Sequence, residues 1–234
     1  TGVNVGDYGK GSDETFQDLL IELDSLEDIE RIRISSIEPN LLNRDIIEFC
    51  NSSNLFMPHY HVPLQSGSNK ILRAMRRRYD RGLYGSRVEL IKSLESDACI
   101  GADVIVGFPG ETNDDFLDTY NFIKDLDISY LHVFTYSERE GTDAIDHSNH
   151  VPKEKRSERS KMLHILSDKK RRAFNESFVG SKRDVLYENN KNGFIYGHSD
   201  NYIRVKVSGP TDIINTVKPT TLKAIDQSVV SGVV

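Results

Sequence analysis

The feature that most constrains the fold is a strand-like run that turns directly into a helix. Hydrophobic residues alternate from Phe56 to Leu64, and the run stops in small polar residues from Gln65 to Asn69. A basic segment with helical spacing follows over residues 70–79. This pattern predicts a β-strand that presents polar side chains at its carboxyl end, which is where parallel α/β sheets and barrels bind ligands.

The same order recurs along the first two thirds of the chain. Residues 102–108 form a short apolar run closed by Pro109 and Gly110, which is typical of a buried parallel strand. Further strands are predicted over residues 29–37 and 128–136, and helical spacing occurs between the predicted strands. Repeated βα units predict a parallel sheet, and polar clusters at successive strand ends favour a barrel over a doubly wound sheet.

A different pattern begins after a long basic helix that is predicted over residues 153–174. Short β-rich runs there are separated by turn-forming residues such as those at 190–193 and 208–210. They predict a small antiparallel β-barrel of about 60 residues. We therefore divide the chain into residues 1–172, with the α/β pattern, and residues 173–234.

Charge also separates the two parts of the chain. Residues 153–234 carry 16 Lys and Arg against 9 Asp and Glu, a net charge of +7, whereas residues 1–152 carry 14 against 27, a net charge of −13. A basic region on an otherwise acidic chain predicts a polyanionic partner for that region. No apolar run approaches the roughly 20 residues that a membrane span needs. Because Cys50 and Cys99 both lie in apolar segments, a reduced, cytoplasmic protein is favoured.

Three histidines raise the possibility of a metal site. His59 and His61 are two residues apart on the predicted strand, so their side chains share a face, and His132 lies near the end of another strand. Together they could bind zinc, as in metal-dependent barrel hydrolases. The competing interpretation is that these side chains only line a small-molecule pocket.

Five motifs are arranged in the order and spacing found in the radical-SAM tRNA methylthiotransferases. They are TGVNVGDYG (residues 1–9), HYHVPLQSGS (59–68), MRRRY (75–79), VIVGFPGET (104–112) and FTYSEREGT (134–142). The chain resembles this family over essentially its whole length, and within it the branch that acts on threonylcarbamoyladenosine beside the tRNA anticodon. From about residue 173 it is similar to the family's TRAM domain, a small RNA-binding β-barrel, with Gly197-x-x-x-Asn201-Tyr202 as the best local match.

The resemblance implies a partial (βα)6 radical-SAM barrel of the TIM type, whose strand ends bind S-adenosylmethionine. Ser36 and Glu38 would hold the ribose, and the strand end at Gly107 would contact the adenine. Arg78 would pair with the methionine carboxylate, with the adjacent Arg77 as the alternative. The complete set of implied contacts is Thr1, Gly2, Asn4, Ser36, Glu38, Gln65, Ser66, Arg78, Val106, Gly107 and Phe108.

The resemblance also implies a reaction for which this chain lacks part of the machinery. In the family, a reduced [4Fe–4S] cluster splits S-adenosylmethionine to form a deoxyadenosyl radical that attacks the adenine ring, and sulfur and a methyl group are then added. Members hold that cluster with a C-x-x-x-C-x-x-C motif and a second cluster with three further cysteines. Cys50 and Cys99 form neither set, so we expect this chain to be the C-terminal portion of a longer enzyme, inactive alone.

The implied partner is tRNA. Aromatic and basic side chains on one surface of a small β-barrel can stack on bases and neutralise phosphates. The predicted RNA contacts are Lys182, Arg183, Tyr202, Arg204 and Lys206. An alternative is a tRNA-binding module without catalysis. A barrel that lacks strands would leave an unpaired edge, so we also expect self-association.

Overall fold

Helices and strands alternate through the first part of the chain, as the sequence pattern predicts. The computed structural model describes residues 4–138, 141 and 149–234, so the implied cofactor contacts of Thr1 and Gly2 lie outside the described residues. After a short 3-10 turn, the elements are α1 (Phe16–Asp24), α2 (Arg44–Ser52), β1 (His59–His61), α3 (Asn69–Ala74), α4 (Arg81–Leu94), β2 (Cys99–Val106), α5 (Asn113–Asp125), β3 (Tyr130–Thr135) and α6 (Lys153–Ser177).

Four helices begin at side chains suited to a cap position. Thr15, Asn43, Asp80 and Thr112 each accept a hydrogen bond from the backbone N–H three residues further on. Such a cap typically stabilises a helix by about 1 kcal/mol. Thr112 also forms a capping box with Asp115, so α5 begins soon after the end of β2.

β1, β2 and β3 form a parallel sheet in that order. On β2, the side chains of Ala102, Val104 and Val106 are fully buried against the helices, whereas Asp103 and Ile105 are half-buried. Because side chains alternate along a strand, the sheet has one face packed on helices and one face that accepts polar side chains. We call the face that bears Asp103 the interior face.

The predicted strand that ends near Ser36 is not continuous. It is reduced to two isolated parallel bridges beside β1. These join Ile32 to Phe56 and Ser36 to His61. Pro58 lies between the two partner positions and has no N–H to donate, so a regular ladder is interrupted there. The segment nevertheless brings Ser36 to the carboxyl end of β1.

α6 connects the sheet to the second part of the chain. The hydroxyl of Ser167 accepts a hydrogen bond from the Leu131 N–H at 2.9 Å and donates to the Leu131 carbonyl oxygen at 3.1 Å, which fixes the helix along β3. The helix continues to Ser177, so the division proposed after residue 172 falls inside it. Among the described residues, no helix combines the length and the apolar character needed to cross a membrane.

The second part is a closed five-stranded barrel, which confirms the predicted small β-barrel. Its strands are β4 (Lys182–Lys191), β5 (Phe194–Ser199), β6 (Arg204–Val207), β7 (Val217–Asp226) and β8 (Val229–Val233), in the order β4-β5-β6-β8-β7. The prediction of purely antiparallel pairing is wrong for one pair, because β6 and β8 are parallel. The sequence pattern also misses β8, whose Ser231 and Gly232 are weak strand formers.

The small barrel docks at the amino-terminal ends of the parallel strands. Arg183 forms an ion pair at 2.7 Å with Asp97, which lies just before β2. The ring of Tyr202 stacks on His59, the first residue of β1, with 4.0 Å between ring centroids. The Arg33 guanidinium lies 5.0 Å from the centroid of the Tyr202 ring. We call this contact region the junction; it lies at the opposite end of the sheet from the predicted ligand site.

Candidate cofactor pocket and nucleic-acid interface

Polar residues gather at the carboxyl ends of the strands. Ser36 lies beside the end of β1. Gln65 follows β1 and forms a bridge with Val104 of β2. Gly107 follows β2, and Tyr136 follows β3. We call this row of strand ends the rim, and it is where the sequence predicts the ligand site.

An ion pair stands at one end of the rim. Glu38 Oε1 lies 2.9 Å from Arg77 Nη1, and both side chains are partly buried. Asn4 Oδ1 accepts a hydrogen bond from the Glu38 N–H at 3.1 Å, which ties the start of the described chain to the same place. Arg77 Nε is buried and has no hydrogen-bond partner among the described residues. Arg78 is exposed, so Arg77 is the arginine that the fold brings to Glu38.

Gln65 combines a strained backbone with an unpaired side chain. Its φ is +66°, in the left-handed region that non-glycine residues seldom adopt. Its N–H donates to the Asp103 carbonyl oxygen at 2.8 Å, and its own carbonyl oxygen accepts from the Ile105 N–H at 3.0 Å. Its Oε1 is buried, with no partner in the described part of the chain. Since a buried unpaired acceptor costs about 1–3 kcal/mol, Gln65 is suited to bind a donor on a ligand.

Ser66 points into the protein rather than toward the rim. Its hydroxyl lies 3.2 Å from Thr119 Oγ1 on α5, and the Gly67 N–H donates to the same oxygen at 3.0 Å. A Cβ atom at Gly67 would lie 2.7 Å from the Cα of Thr119, so glycine permits this close approach. Ser68 donates to Asp115 at 2.8 Å. The turn after Gln65 therefore packs on α5, and this contact holds the strand end at Gln65 in position.

The loop that follows β2 is held by a buried ion pair. Glu111 Oε2 accepts a hydrogen bond from the Gly107 N–H at 2.7 Å and lies 2.6 Å from Arg159 Nη1. Gly107 has a φ of +77°, and a Cβ atom there would lie 2.4 Å from Arg156 Cγ. Gly107 is thus required both by its backbone conformation and by the arginine packed against it.

The residues on either side of Gly107, both in the implied set of cofactor contacts, differ in their surroundings. Val106 is fully buried, on the face of β2 that packs on helices. Phe108 is also buried, and its ring meets the Tyr136 ring edge-on with 5.6 Å between centroids. The Tyr136 hydroxyl is buried without a partner among the described residues. Phe108 and Tyr136 border the rim, whereas the Val106 side chain lies on the opposite face of β2, among the helices.

Sequence reasoning misses the charged side chains that hold the rim in place. Glu111, Arg156 and Arg159 are buried, although charged residues in a polar segment usually indicate an exposed surface. Arg156 donates to the Tyr136 carbonyl oxygen at 3.0 Å. No local pattern distinguishes these arginines from the other cations of α6, because only the packing of α6 on the sheet buries them.

The polar atoms of the rim fit a ligand with the chemistry of S-adenosylmethionine. Gln65 Oε1, Arg77 Nε and the Tyr136 hydroxyl are buried and unpaired within the described residues, and Glu38 adds a carboxylate. Buried unpaired polar groups are few in native proteins, so each of these three needs an explanation. A ligand with ribose hydroxyls, an amino group and a carboxylate offers the donors and acceptors that they lack.

The two cysteines do not fit an iron–sulfur cluster. Cys50, in α2, and Cys99, at the start of β2, are free and buried. Burial raises the pKa of the Cys50 thiol to about 12 and that of the Cys99 thiol to about 11. Clusters are held by several thiolates, whereas these residues are two neutral thiols in separate elements. These 234 residues therefore do not supply the ligands of such a cluster.

The predicted grouping of three histidines does not form. His59 Nε2 lies 2.9 Å from the Tyr130 hydroxyl, away from the other two histidines. Burial lowers the pKa of His59 to about 3, so its ring is neutral at ordinary pH. His61 and His132 instead both contact Asp103 on the interior face. Sequence reasoning misses Asp103 because it lies within an apolar run.

The outer surface of the small barrel carries aromatic and basic side chains side by side. Phe194, Tyr196 and His198 alternate on the outward side of β5, since the residues between them are buried. On the adjacent β6, Arg204 lies over the Tyr196 ring at 5.3 Å and Lys206 lies over the Phe194 ring at 5.1 Å. We call these five residues the basic–aromatic stripe. Partly exposed rings beside cations can stack on bases and neutralise phosphates.

The other residues predicted to contact RNA lie outside the stripe. Lys182 is exposed at the start of β4. Arg183 is engaged with Asp97, and Tyr202 is stacked on His59, so both take part in the junction. Tyr202 is nevertheless exposed, and its ring also stacks on that of His198 with 4.9 Å between centroids. The predicted set therefore extends from the stripe to the junction.

The chain is similar to proteins that modify tRNA. Residues 1–123 match the sequence profile of the Radical SAM superfamily. The chain is 38% identical over 232 residues to the threonylcarbamoyladenosine tRNA methylthiotransferase MtaB of Bacillus subtilis, covering 96% of this chain and 51% of that protein. It is 34% identical over 237 residues to the tRNA-2-methylthio-N(6)-dimethylallyladenosine synthase of Pelotomaculum thermopropionicum, covering 99% of this chain and 53% of that protein. The chain spans about half the length of the curated relatives it matches.

Solved structures give a weaker likeness. Coproporphyrinogen III oxidase from Escherichia coli, a radical SAM enzyme, aligns with a TM-score of 0.46 at 16% sequence identity. The alignment covers 64% of this chain and 34% of that one.

Proposed function

This chain belongs to the radical SAM superfamily, and on that premise we propose that it is the S-adenosylmethionine-binding and RNA-binding portion of a tRNA methylthiotransferase. The proposed substrate is threonylcarbamoyladenosine next to the anticodon, and the proposed reaction places a methylthio group on its adenine ring. S-adenosylmethionine and an iron–sulfur cluster are cofactors of the superfamily in general.

The observation that carries the proposal is the presence of two binding features on one chain. The rim offers unpaired polar atoms at strand ends, and the basic–aromatic stripe offers stacking and positive charge. A small cofactor and a nucleic acid are the two ligands that these features suit. Similarity to tRNA methylthiotransferases over nearly the whole chain supports the same assignment.

The residues of the rim take different roles in this proposal. When bound, S-adenosylmethionine supplies the adenosyl group and the methyl group for the reaction. Glu38 accepts hydrogen bonds from the ribose hydroxyls, and the ion pair with Arg77 orients its carboxylate. Gln65 Oε1 accepts from the amino group of the methionine part. Gly107 and Phe108 border the adenine, with the loop held by Glu111.

No step of the reaction is assigned to an iron–sulfur cluster within these 234 residues, because Cys50 and Cys99 do not fit one. A reductive cleavage of S-adenosylmethionine by the whole protein would use cluster ligands that this chain does not contain. The contribution that we propose for this chain is to bind and orient the cofactor and the RNA.

The proposed partner is tRNA, and its proposed contact surface is the basic–aromatic stripe together with Lys182. Phe194 and Tyr196 stack on unpaired bases of the anticodon loop, and Arg204 neutralises a phosphate. Lys206 is paired with Asp226 and would have to exchange that partner for a phosphate. Arg183 and Tyr202 support this surface from the junction. We also propose a cytoplasmic location for the whole protein, because the proposed substrate is tRNA.

The first test is the binding of S-adenosylmethionine by isothermal titration calorimetry. We expect Glu38→Ala to weaken binding by at least about tenfold, because a hydrogen bond to a charged group contributes about 1.5–3 kcal/mol. Glu48→Ala, an exposed glutamate on α2, is the matched control and should bind like the parent chain. Equal affinity of all three proteins would contradict the placement of the ribose at Glu38.

The second test identifies the modified nucleoside. The complete protein, expressed in a bacterial strain without its own threonylcarbamoyladenosine methylthiotransferase, should restore the 2-methylthio derivative in tRNA, as measured by mass spectrometry of nucleosides. A relative at 34% identity is named for dimethylallyladenosine, so the same assay in a strain lacking that activity distinguishes the two substrates. Restoration of neither product would contradict the reaction and favour a tRNA-binding module without catalysis.

A further inference from the structure

We propose that the interior face of the parallel sheet carries a binding site for one divalent transition-metal ion, formed by His61, Asp103 and His132. The inference does not depend on the proposed function, because it rests on three side chains to which that proposal assigns no role. The three ligating atoms lie within 4.8 Å of one another.

The sheet places these side chains together on three neighbouring strands. Asp103 on β2 and His132 on β3 are direct partners in the parallel register. His61, the last residue of β1, is paired with Gly101, which precedes Asp103 by two positions. Because side chains two residues apart share a face, all three project from the interior face at adjacent positions. Backbone hydrogen bonds of the sheet therefore hold the ligands in place before any ion binds.

The distances already resemble those between ligands of one ion. His61 Nε2 lies 3.0 Å from Asp103 Oδ1, and His132 Nδ1 lies 3.2 Å from the same oxygen. In a tetrahedral site with metal–ligand bonds of about 2.0–2.1 Å, neighbouring ligand atoms are about 3.3 Å apart. An ion can thus enter between these atoms with small movements of the side chains.

The charge of the cluster also suits a cation. Asp103 supplies a carboxylate whose side chain is largely shielded from solvent, so salt screens its charge less than that of an exposed carboxylate. Without an ion, both imidazoles are directed at one carboxylate oxygen. A divalent ion would replace the two histidine–carboxylate hydrogen bonds with metal–ligand bonds.

The ligand types select the class of ion. Two imidazole nitrogens and one carboxylate suit Zn²⁺, Co²⁺ or Fe²⁺, whereas Mg²⁺ and Ca²⁺ prefer oxygen ligands throughout. Three protein ligands leave at least one coordination position for water or a substrate atom, as in catalytic sites. Half of the His132 side chain is exposed to solvent, so water can reach the ion at this site.

The test is a titration of the 234-residue chain with Co²⁺, followed by visible absorption, and then displacement of Co²⁺ by Zn²⁺. We expect saturation at one ion per chain. Asp103→Asn and His132→Ala should each weaken binding by at least about 100-fold, since even the loss of a residue that only orients a ligand costs about 10–100-fold. His164→Ala, on the exposed side of α6, is the matched control and should bind like the parent chain.

Circular dichroism establishes whether each variant is folded. If Asp103→Asn does not fold, His132→Ala decides the outcome, because a half-exposed residue can be replaced with less effect on the fold. Zn²⁺ should raise the melting temperature of the parent chain and of His164→Ala, but not that of His132→Ala. No saturable Co²⁺ binding by the parent chain would overturn the proposal. Binding that survives unchanged in His132→Ala, or that is lost equally in His164→Ala, would overturn it as well.

Discussion

The guanidinium of Arg159 lies 2.6 Å from the carboxylate of Glu111, and both side chains are almost completely buried. Burial raises the pKa of Glu111, and the Gly107 N–H and Arg159 offset only part of that effect. We therefore expect Arg159→Met to lower the free energy of unfolding by about 3–5 kcal/mol, because it leaves a buried carboxylate without its partner. Urea denaturation measures the change.

Two further variants separate the ion pair from other effects of the substitution. Arg172→Met removes an exposed arginine of the same helix, whose pair with Glu176 contributes little at the surface. Addition of Glu111→Gln to Arg159→Met should recover most of the lost stability. If Arg172→Met were as destabilising as Arg159→Met, the buried pair would not be the cause.

Gly107→Ala and Gly110→Ala separate steric packing from backbone strain. Both glycines have a positive φ, +77° and +84°. A Cβ atom at Gly107 would lie 2.4 Å from Arg156 Cγ, whereas at Gly110 nothing among the described residues lies within 4 Å. We expect Gly110→Ala to cost about 1–2 kcal/mol from strain alone, and Gly107→Ala about 1–3 kcal/mol more from the clash. Thermal unfolding of both variants checks this; equal costs would contradict it.

His59 makes the fold sensitive to mild acid. Burial lowers its pKa to about 3, whereas an exposed histidine titrates near about 6.5. Between these values the unfolded chain binds a proton at His59 and the folded chain does not, so stability falls as the pH is lowered through this range. We expect His59→Gln to depend less steeply on pH between about 6.5 and 4.5, where ordinary carboxylates still remain ionised.

Urea unfolding at a series of pH values measures this dependence. Part of the slope should remain in His59→Gln, because burial also lowers the pKa of His198. A slope identical to that of the parent chain would show that His59 is protonated in the folded state and would contradict the expectation.

The basic–aromatic stripe should govern affinity for RNA. Phe194→Ala is expected to weaken binding of an anticodon stem–loop by about 1–3 kcal/mol through lost stacking. Arg204→Ala should reduce the slope of log affinity against log salt by about 1, because one phosphate contact is lost. Lys124→Ala, an exposed lysine on α5, is the control. Fluorescence anisotropy at several salt concentrations gives both quantities, and equal behaviour of all three variants would exclude the stripe as the binding surface.

Tyr202 distinguishes the junction from the RNA surface. Because its ring stacks on His59, we expect Tyr202→Ala to lower the melting temperature while it weakens RNA binding less than Phe194→Ala does. The reverse order of effects on RNA binding would assign Tyr202 to the RNA surface after all.

An apolar groove beside the segment that carries Ile32 and Ile34 should promote self-association. It has a volume of about 490 Å³ and lies between α1 and the residues around Ile32. Its apolar lining includes Phe16, Leu19, Leu20, Leu23, Ile32, Ile34 and Phe56. We expect the chain to associate at high concentration and Leu19→Glu to remain monomeric, as measured by sedimentation equilibrium. A monomeric parent chain under the same conditions would contradict this expectation.

Periodicity in the sequence was sufficient to predict the fold class and the location of the rim. The alternation from Phe56 to Leu64, followed at once by helical spacing, correctly places a strand and then a helix, although the strand itself is confined to His59–His61. Each such unit places polar residues at the carboxyl end of a strand, so Glu38 and Gln65 can be found from the sequence alone.

The direction of side chains at turns could not be predicted from the periodicity of the sequence. Three arginines follow one another after α3, where the backbone has a left-handed φ of +56° at Arg76, and only in the folded chain is it evident that Arg77 pairs with Glu38. Ser66 turns toward Thr119 because α5 packs there, which is a tertiary contact. Asp103 is hidden within an apolar run, and its partners His61 and His132 meet it only once three strands are in register.

α6 fixes the distance between the rim and the small barrel. Its 25 residues make a rod of about 37 Å that is anchored at the rim through Arg156 and along β3 through Ser167. Its far end passes directly into the barrel that bears the basic–aromatic stripe. An RNA bound at the stripe would therefore place only nucleotides at one distance along its strand at the rim. Nucleotides closer to the bound segment or farther from it would not reach the cofactor site.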